Sequence, residues 1–281
     1  MRRKRLGIPP HLYAVPLTGA RGAEPSYDWV VDVPARNAIT LREGGLALAL
    51  LTPIDYARES SLYYIVRGVA VASRGGDKSI SLLIREGLHR LNTLAIDPSS
   101  ASEIILARII LAEQFNLRPT LVPYQGDPAG ALKSADAVLV SGDIALRMVW
   151  EKGDTLDLVE EWVEMTSLPY VHGIWCGREH AAGADDCARL LQLSAEGRAD
   201  FDALSEEAAR AQRLGAMDAV RIREYLEHLT FDATDEVEEG LREFIRYAYY
   251  HGVLPDIADL QYYGDAPEEN DEPTPGLSAI H

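Results

Sequence analysis

The sequence predicts an α/β fold with mainly parallel sheets flanked by helices, and three observations predict it. Short apolar runs recur at strand length, continuous over Leu46–Leu51 and centred on Ala137–Val140 within Ala135–Ser141. A run apolar on both faces suits a parallel strand covered on both sides. Helical patterns stand between these runs, and turn residues separate the two kinds of segment. Strands alternating with helices indicate βα units rather than a sandwich or a bundle.

In chain order, residues 5–17 read as a short first strand and a loop, broken at Pro9 and Pro10. Pro34–Glu43 reads as a helix with Ala35, Ala38, Ile39 and Leu41 on its apolar side, and Gly44-Gly45 ends it. Leu46–Leu51, Ser61–Ala72 and Ser79–Ile84 follow as strands. Thr93–Asp97 is another strand, and the serine-rich stretch after it opens a helix over Glu103–Phe115, with Ser99 or Ser100 as its N-cap. Ala135–Ser141 is a buried strand, Asp157–Met165 a helix and Pro169–Trp175 a strand. From Asp185 to Tyr250 the pattern is helical, with breaks near Gly215 and Asp232. The aromatics Tyr225, Phe231, Phe244, Tyr247, Tyr249 and Tyr250 fall at helical spacing and read as packing residues.

Composition excludes several classes of function. With 281 residues there is room for one large or two modest domains. The net charge of −17 argues against a nucleic-acid partner, which needs a basic face. No apolar run reaches about 20 residues, so no membrane-spanning helix is expected. The basic start, Met1-Arg-Arg-Lys-Arg5, is not followed by an apolar stretch of the kind a secretory signal carries. Two cysteines make no disulfide framework. Together these features point to the cytoplasm. They also set a condition on any anionic ligand: a chain this acidic must meet it with hydroxyls, a helix N-terminus or backbone amides.

Six segments carry a family resemblance in order and spacing. They are Arg5-Leu-Gly…Pro16-Leu17, Leu51-Thr-Pro-Ile-Asp-Tyr56, Ser79-Ile-Ser-Leu82 and Asp97-Pro-Ser-Ser-Ala-Ser102, then Ser141-Gly-Asp-Ile-Ala-Leu146 and Asp157-Leu-Val-Glu-Glu-Trp162…Leu168-Pro-Tyr-Val171…Trp175. Across about residues 5–260 the chain resembles the chorismate dehydratases of the futalosine route to menaquinone. The resemblance implies a two-lobed fold of the periplasmic-binding-protein type (type II), with the ligand in the cleft between lobes. Residues 1–78 and 171–264 would form lobe one and residues 79–170 lobe two. Residues 265–281, with five acids and neither Lys nor Arg, read from composition as a solvated tail. The implied activity is dehydration of chorismate to 3-[(1-carboxyvinyl)oxy]benzoate without metal or organic cofactor, on chorismate or a related small dicarboxylate, with no nucleic acid or membrane involved.

The resemblance implies Ser99, Ser100 and Ser102 as donors to the substrate's carboxylates, since free amides and the helix dipole at a helix start attract anions and the hydroxyls add to them; on residue type alone one of them caps the helix and the others are ordinary loop residues. Thr52 follows a buried strand at the carboxyl end where α/β ligands gather, and could equally cap a helix. Gly142 and Asp143 follow another such strand, Asp143 as a helix cap or as the group orienting a cleft donor. The resemblance implies Ser79 as a substrate or catalytic hydroxyl, and Ser81 and Tyr170 as further substrate contacts. It departs at the first motif, where the family's Tyr-Leu-Asn-Thr-x-Pro-Leu is His11-Leu-Tyr-Ala-Val-Pro-Leu17. Tyr13 thus stands where the family's Asn would contact substrate, and it is expected at the catalytic position in its place, with His11 as the alternative. The serine-rich motif departs as well, since Ala101 precedes Ser102. A second reading follows from these departures: a binding protein for an aromatic or enolpyruvyl carboxylate, without chemistry.

His172, Cys176, His180 and Cys187 have ligand types that suit zinc. Residues four apart on a strand share a face but lie about 13 Å apart, so His172 and Cys176 cannot hold one ion together, and no metal site is expected.

Overall fold

The computed structural model describes residues 3–18, 26–85, 90–148, 153–210 and 217–265. Gly215 and all of the acidic tail except Asp265 lie outside the described residues. The strands are β1 (Lys4–Ile8), β2 (Tyr27–Val31), β3 (Leu48–Leu51), β4 (Tyr63–Ser73), β5 (Ile80–Ile84), β6 (Thr93–Ile96), β7 (Thr120–Pro123), β8 (Ala137–Ser141), β9 (Asp154–Asp157), β10 (Tyr170–Arg178) and β11 (Leu229–Thr230). The α-helices are α1 (Pro34–Arg42), α2 (Pro53–Ala57), α3 (Ala101–Glu113), α4 (Pro128–Ala131), α5 (Gly142–Arg147), α6 (Leu158–Thr166), α7 (Ala184–Arg198), α8 (Phe201–Arg210), α9 (Ala219–His228) and α10 (Asp235–Tyr250). A 3₁₀ helix over Leu12–Thr18 replaces the loop expected after β1.

Two sheets divide the strands. The first has the order β11-β4-β10-β3-β1-β2 and the second β7-β6-β8-β5-β9. The chain leaves the first sheet after Ser73, enters the second at Ile80, and returns through α6 to Tyr170. The pairings are more evenly mixed than strand–helix alternation implies. β1 is parallel to β2 and β3, and β6 to β7 and β8, whereas β10 is antiparallel to β3 and β4, β11 to β4, and β5 to β8 and β9. The physical reason lies at the crossings: β5 and β10 are the strands that enter a sheet from the other one, and each runs against its neighbours.

Burial explains why these segments form strands. β3 and β5 are buried along their whole length, and β8 and β10 along all but their last residue. Each central strand has apolar cover on both faces. In the second sheet, Leu82, Leu94 and Leu139 pack toward α3 and α6, while Leu83, Ala95 and Val138 pack into a cluster on the opposite face. At the crossing, Trp162 meets the rings of Tyr170, Phe244 and Tyr247 edge-on, with centroids 6.3, 5.8 and 5.7 Å apart. Tyr225, Phe231 and Phe244 are buried, whereas Tyr250 on α10 is 69% exposed.

One close contact fixes the 3₁₀ helix that carries Tyr13. A Cβ on Gly197 of α7 would lie 1.9 Å from the Pro16 carbonyl oxygen. Backbone cannot yield as a side-chain tip can, so Gly197→Ala is expected to cost about 3 kcal/mol through overpacking. Urea unfolding measures this, and an unchanged midpoint would show that α7 does not set the position of this segment.

Candidate active site

The cleft lies where the ends of strands from both sheets meet. From the first sheet come Pro10 and His11 after β1, Val33 and Pro34 after β2, and Thr52 and Asp55 after β3. From the second come Asp97 and Ser99–Glu103 after β6, Tyr124 after β7, and Ser141, Asp143 and Ile144 at the end of β8. They enclose a cavity of about 280 Å³. A larger cavity of about 400 Å³ opens on the far side of His11, between the 3₁₀ helix, β2 and α8, with a mainly apolar lining. The smaller one concerns chemistry, since it collects the polar groups at the carboxyl ends of strands.

Five of the ten residues expected at the site line this cleft: Thr52, Ser99, Ser100, Ser102 and Asp143. Thr52 also caps α2, where its hydroxyl donates to the Asp55 carboxylate at 2.8 Å and accepts from the Asp55 amide at 3.4 Å. Ser99 is held by Asp97, which accepts from its amide at 2.9 Å and its hydroxyl at 2.8 Å. Ser100 is the N-cap residue of α3 but makes no side-chain capping bond; its hydroxyl sits 3.1 Å from that of Ser141. The Ser102 hydroxyl is buried and meets no hydrogen-bond partner among the described residues. Asp143 spans the two sheets, accepting from the Leu12 amide at 2.9 Å.

The other five stand apart from the cavity lining. Ser81 is buried within β5, where its hydroxyl turns back to the Lys78 carbonyl at 3.4 Å. Tyr170 is buried at the crossing among Trp162, Phe244 and His172. Gly142 adopts φ +61° and its amide donates to the Ser79 carbonyl at 2.7 Å. A Cβ there would lie 2.7 Å from His11 Nδ1, so glycine is what lets the His11 ring close over the start of α5. Ser79 is 2% exposed, and its amide donates to Asp77 Oδ1 at 2.8 Å. Its hydroxyl lacks a partner at hydrogen-bond geometry, although the nearby Ser79 eases ionisation of the Tyr225 phenol against the upward push of burial. Tyr13 is buried, its ring 5.3 Å from His11 and 5.8 Å from His172. Burial, then the charges of Glu103, Asp143 and Asp55, raise its phenol well above the ordinary value, so it stays protonated behind the cleft wall.

Electrostatically the cleft is unusual for a site that takes an anion. Among the described residues its lining holds Asp55, Asp97, Glu103 and Asp143 but no lysine or arginine. Burial raises the Asp55 carboxyl, with the Thr52 hydroxyl opposing, and burial likewise raises Glu103. Burial lowers His11, with His172 adding to that effect and Asp143 opposing it, so the neutral imidazole is favoured. What remains for an anion is the hydroxyl of Ser102, the Ser100–Ser141 hydroxyl pair and the free amides at the start of α3. Sequence reasoning missed Glu103 and passed over Asp55 and Asp97. Asp55 and Asp97 lie inside the motifs that carry the resemblance, and Glu103 directly follows one of them.

Below the cleft a buried polar cluster joins both crossings. Asp77, between β4 and β5, accepts from the Ser73 hydroxyl at 2.6 Å, and its Oδ2 lies 3.1 Å from His172 Nε2 on β10. Ser73 Oγ is 2.8 Å from the same imidazole nitrogen. Burial acts to raise the Asp77 carboxyl, but the hydrogen bond and charge of His172, with the Ser73 and Ser79 donors, bring it below the ordinary value.

His172 therefore serves this cluster. Cys176 is buried in β10, its thiol 3.7 Å from the Ile174 carbonyl, and the His180 side chain is 87% exposed. Among the described residues no three of His, Cys, Asp and Glu form a metal-ligand group, and no helix is long and apolar enough to cross a membrane.

Comparison with known proteins agrees with this architecture. Chorismate dehydratase from Thermus thermophilus is 24% identical over 262 residues, covering 87% of this chain and 94% of that protein. Among solved structures, protein AF1704 from Archaeoglobus fulgidus superimposes with a TM-score of 0.67 at 14% identity, over 90% of this chain and 98% of that one. The periplasmic aliphatic sulphonate binding protein SsuA from Escherichia coli does so with a TM-score of 0.59 at 15% identity, over 92% and 96%. The fold is that of the periplasmic binding proteins, with two mixed sheets flanked by helices. The family model described as "Menaquinone biosynthesis" matches residues 4–250, and the chain belongs to that family.

Proposed function

We propose that the protein is a cytoplasmic hydro-lyase that dehydrates chorismate to 3-[(1-carboxyvinyl)oxy]benzoate in the futalosine route to menaquinone. The observation that carries this reading is the start of α3. There the buried Ser102 hydroxyl, without a partner, and an N-cap serine that makes no capping bond line a cleft otherwise rich in carboxylates. Donors left unsatisfied in an acidic cavity fit a ligand that brings its own carboxylates. The family membership and the likeness to a chorismate dehydratase support the same substrate.

The chemistry asks little of the protein. One ring C–H bond breaks, its electron pair becomes a ring double bond, the neighbouring C–OH bond breaks, and the ring becomes aromatic. Aromatisation makes the reaction strongly downhill. What the site must provide is orientation, a dry cavity, a base and a donor to the leaving oxygen. Ser100, Ser102 and the α3 amides hold the carboxylates, while Asp97 keeps both donors of Ser99 and Thr52 faces the site from the other sheet. One of the substrate's own carboxylates serves as the base. The test is incubation of the purified chain with chorismate and mass detection of a product lighter by one water. Accumulation of that product is the expected result; binding without product would make this a recognition protein for the same ligand class.

A further inference from the structure

Dehydration in this cleft leaves the departing hydroxyl in need of a proton source, and the identity of that source rests on the dehydratase reading. Hydroxide is a poor leaving group, so in a closed site the oxygen must collect a proton as the bond to carbon breaks. We propose that Glu103 is the acid that delivers this proton.

Three observations lead to Glu103 rather than to another lining residue. The first is that it does not perform the role its position suggests. Ser100-Ala-Ser-Glu103 has the spacing of a capping box, in which the N-cap serine bonds the N3 amide and the N3 glutamate reaches back to the N-cap amide. Neither bond forms here. Ser100 makes no side-chain capping bond, and its amide donates instead to the Asp97 carbonyl at 3.0 Å. The Glu103 side chain lines the cleft.

The second observation concerns the competing carboxyls. Asp55 receives the Thr52 hydroxyl, Asp97 receives both donors of Ser99, and Asp143 receives the Leu12 amide. Each of these bonds favours the ionised form. Among the described residues no side chain hydrogen-bonds the Glu103 carboxyl; only its own backbone amide does. It is thus the lining carboxyl free to give its proton to something in the cavity.

The third is its setting between the sheets. Its carboxyl lines the cleft together with Asp55 and Asp97, and its electrostatic neighbours also include His172 and Tyr170 on β10 and Tyr13 on the 3₁₀ helix. Burial and the two aspartates hold the proton on, with His172 and the residue's own amide opposing. A neutral carboxylic acid beside a dianionic substrate avoids the repulsion that an ionised one would bring, as in other sites where burial keeps a carboxyl protonated for donation.

The step balances without any other reagent. The substrate's carboxylate takes the ring proton, and the C–H electron pair forms the new ring double bond. The C–O bond breaks with its pair on oxygen, and that oxygen takes the proton of Glu103 and leaves as water. The proton held by the product's carboxylate then returns to Glu103, directly or through water. The sum is substrate to product plus one water.

The experiment compares wild type, Glu103→Gln and Glu103→Asp, each checked for folding by circular dichroism, with chorismate as substrate and calorimetry for binding. Glu103→Gln is expected to bind chorismate within about threefold of wild type and to lose roughly 10²- to 10⁴-fold in kcat, with partial recovery in Glu103→Asp. Wild-type kcat should fall as pH rises through the ionisation of Glu103, and that alkaline limb should vanish from the residual activity of Glu103→Gln. If wild type turns over and Glu103→Gln retains its kcat, the assignment of Glu103 is wrong while the dehydratase reading stands. If Glu103→Gln loses binding instead, Glu103 holds substrate and is not the acid. If wild type forms no product, the dehydratase reading fails and this step with it.

Discussion

Asp77→Ala should destabilise the protein by about 3–5 kcal/mol, because the buried donors of Ser73, His172 and Ser79 lose their common acceptor and each buried donor left unsatisfied costs about 1–3 kcal/mol. The Asp77 side chain is 0% exposed and that of His172 4%. Asp77 holds Ser73, His172 and Ser79 at the place where the chain passes from one sheet to the other and back. The loss falls on both crossings at once, and urea midpoints measure it. The pH dependence has a defined sign. Because the folded pKa of Asp77 lies below its ordinary value, its contribution is fully present above the unfolded carboxylate value, about 3.9. It disappears as pH falls through the lower folded value. Asp157 acts with the opposite sign. Burial first, and the charge of Asp77 second, push its carboxyl up to about 6, so a cost develops between about pH 4 and pH 6 as it is forced to ionise. In Asp77→Asn the acid-side loss should shrink, and the Asp157 carboxyl should titrate closer to its ordinary value by NMR. Identical stability–pH curves for wild type and variant would show that the cluster does not couple the crossings.

Ser102→Ala should lower kcat/KM for chorismate by roughly 10- to 100-fold, since a hydrogen bond to a charged group contributes about 1.5–3 kcal/mol. Folding stability should barely change, because the hydroxyl has no partner in the free protein. Ser79→Ala is the informative control. The family resemblance implies a catalytic serine there, whereas the structure seals that hydroxyl behind the cleft, beside Tyr225. A smaller loss for Ser79→Ala than for Ser102→Ala is expected. The reverse order would mean that the cleft rearranges to expose Ser79 when substrate binds.

How far the fold can be read from the sequence depends on burial. β3, β5 and β8 announce themselves because central strands must be apolar on both faces. β7, partly exposed along its length and ending at Pro123, gives no such signal, and neither do the edge strands β2 and β9. The antiparallel pairings at β5 and β10 follow from the chain changing sheets, which local pattern does not encode. The site divides in the same way. Ser99, Ser100, Ser102 and Thr52 stand out because hydroxyls cluster at a helix start or a strand end, although the same positions suit caps, as Thr52 shows at α2. Glu103 is hidden by its own spacing: Ser-x-x-Glu reads as a cap, and only the geometry shows the glutamate turned to the cleft. His11 shows itself through Gly142, whose missing side chain makes room for the ring. The resemblance implies Tyr13 at the position of the family's Asn, but its buried ring lies between those of two histidines and outside the cavity lining.

The most direct test of water elimination in this cleft uses chorismate deuterated at the ring carbon that carries the enolpyruvyl ether. Elimination across that carbon and its hydroxyl-bearing neighbour predicts an aromatic product that has lost both the hydroxyl and the deuterium, with the same mass as the product from unlabelled substrate. A product that retains the deuterium, or recovery of chorismate unchanged at saturating protein, would contradict the assignment.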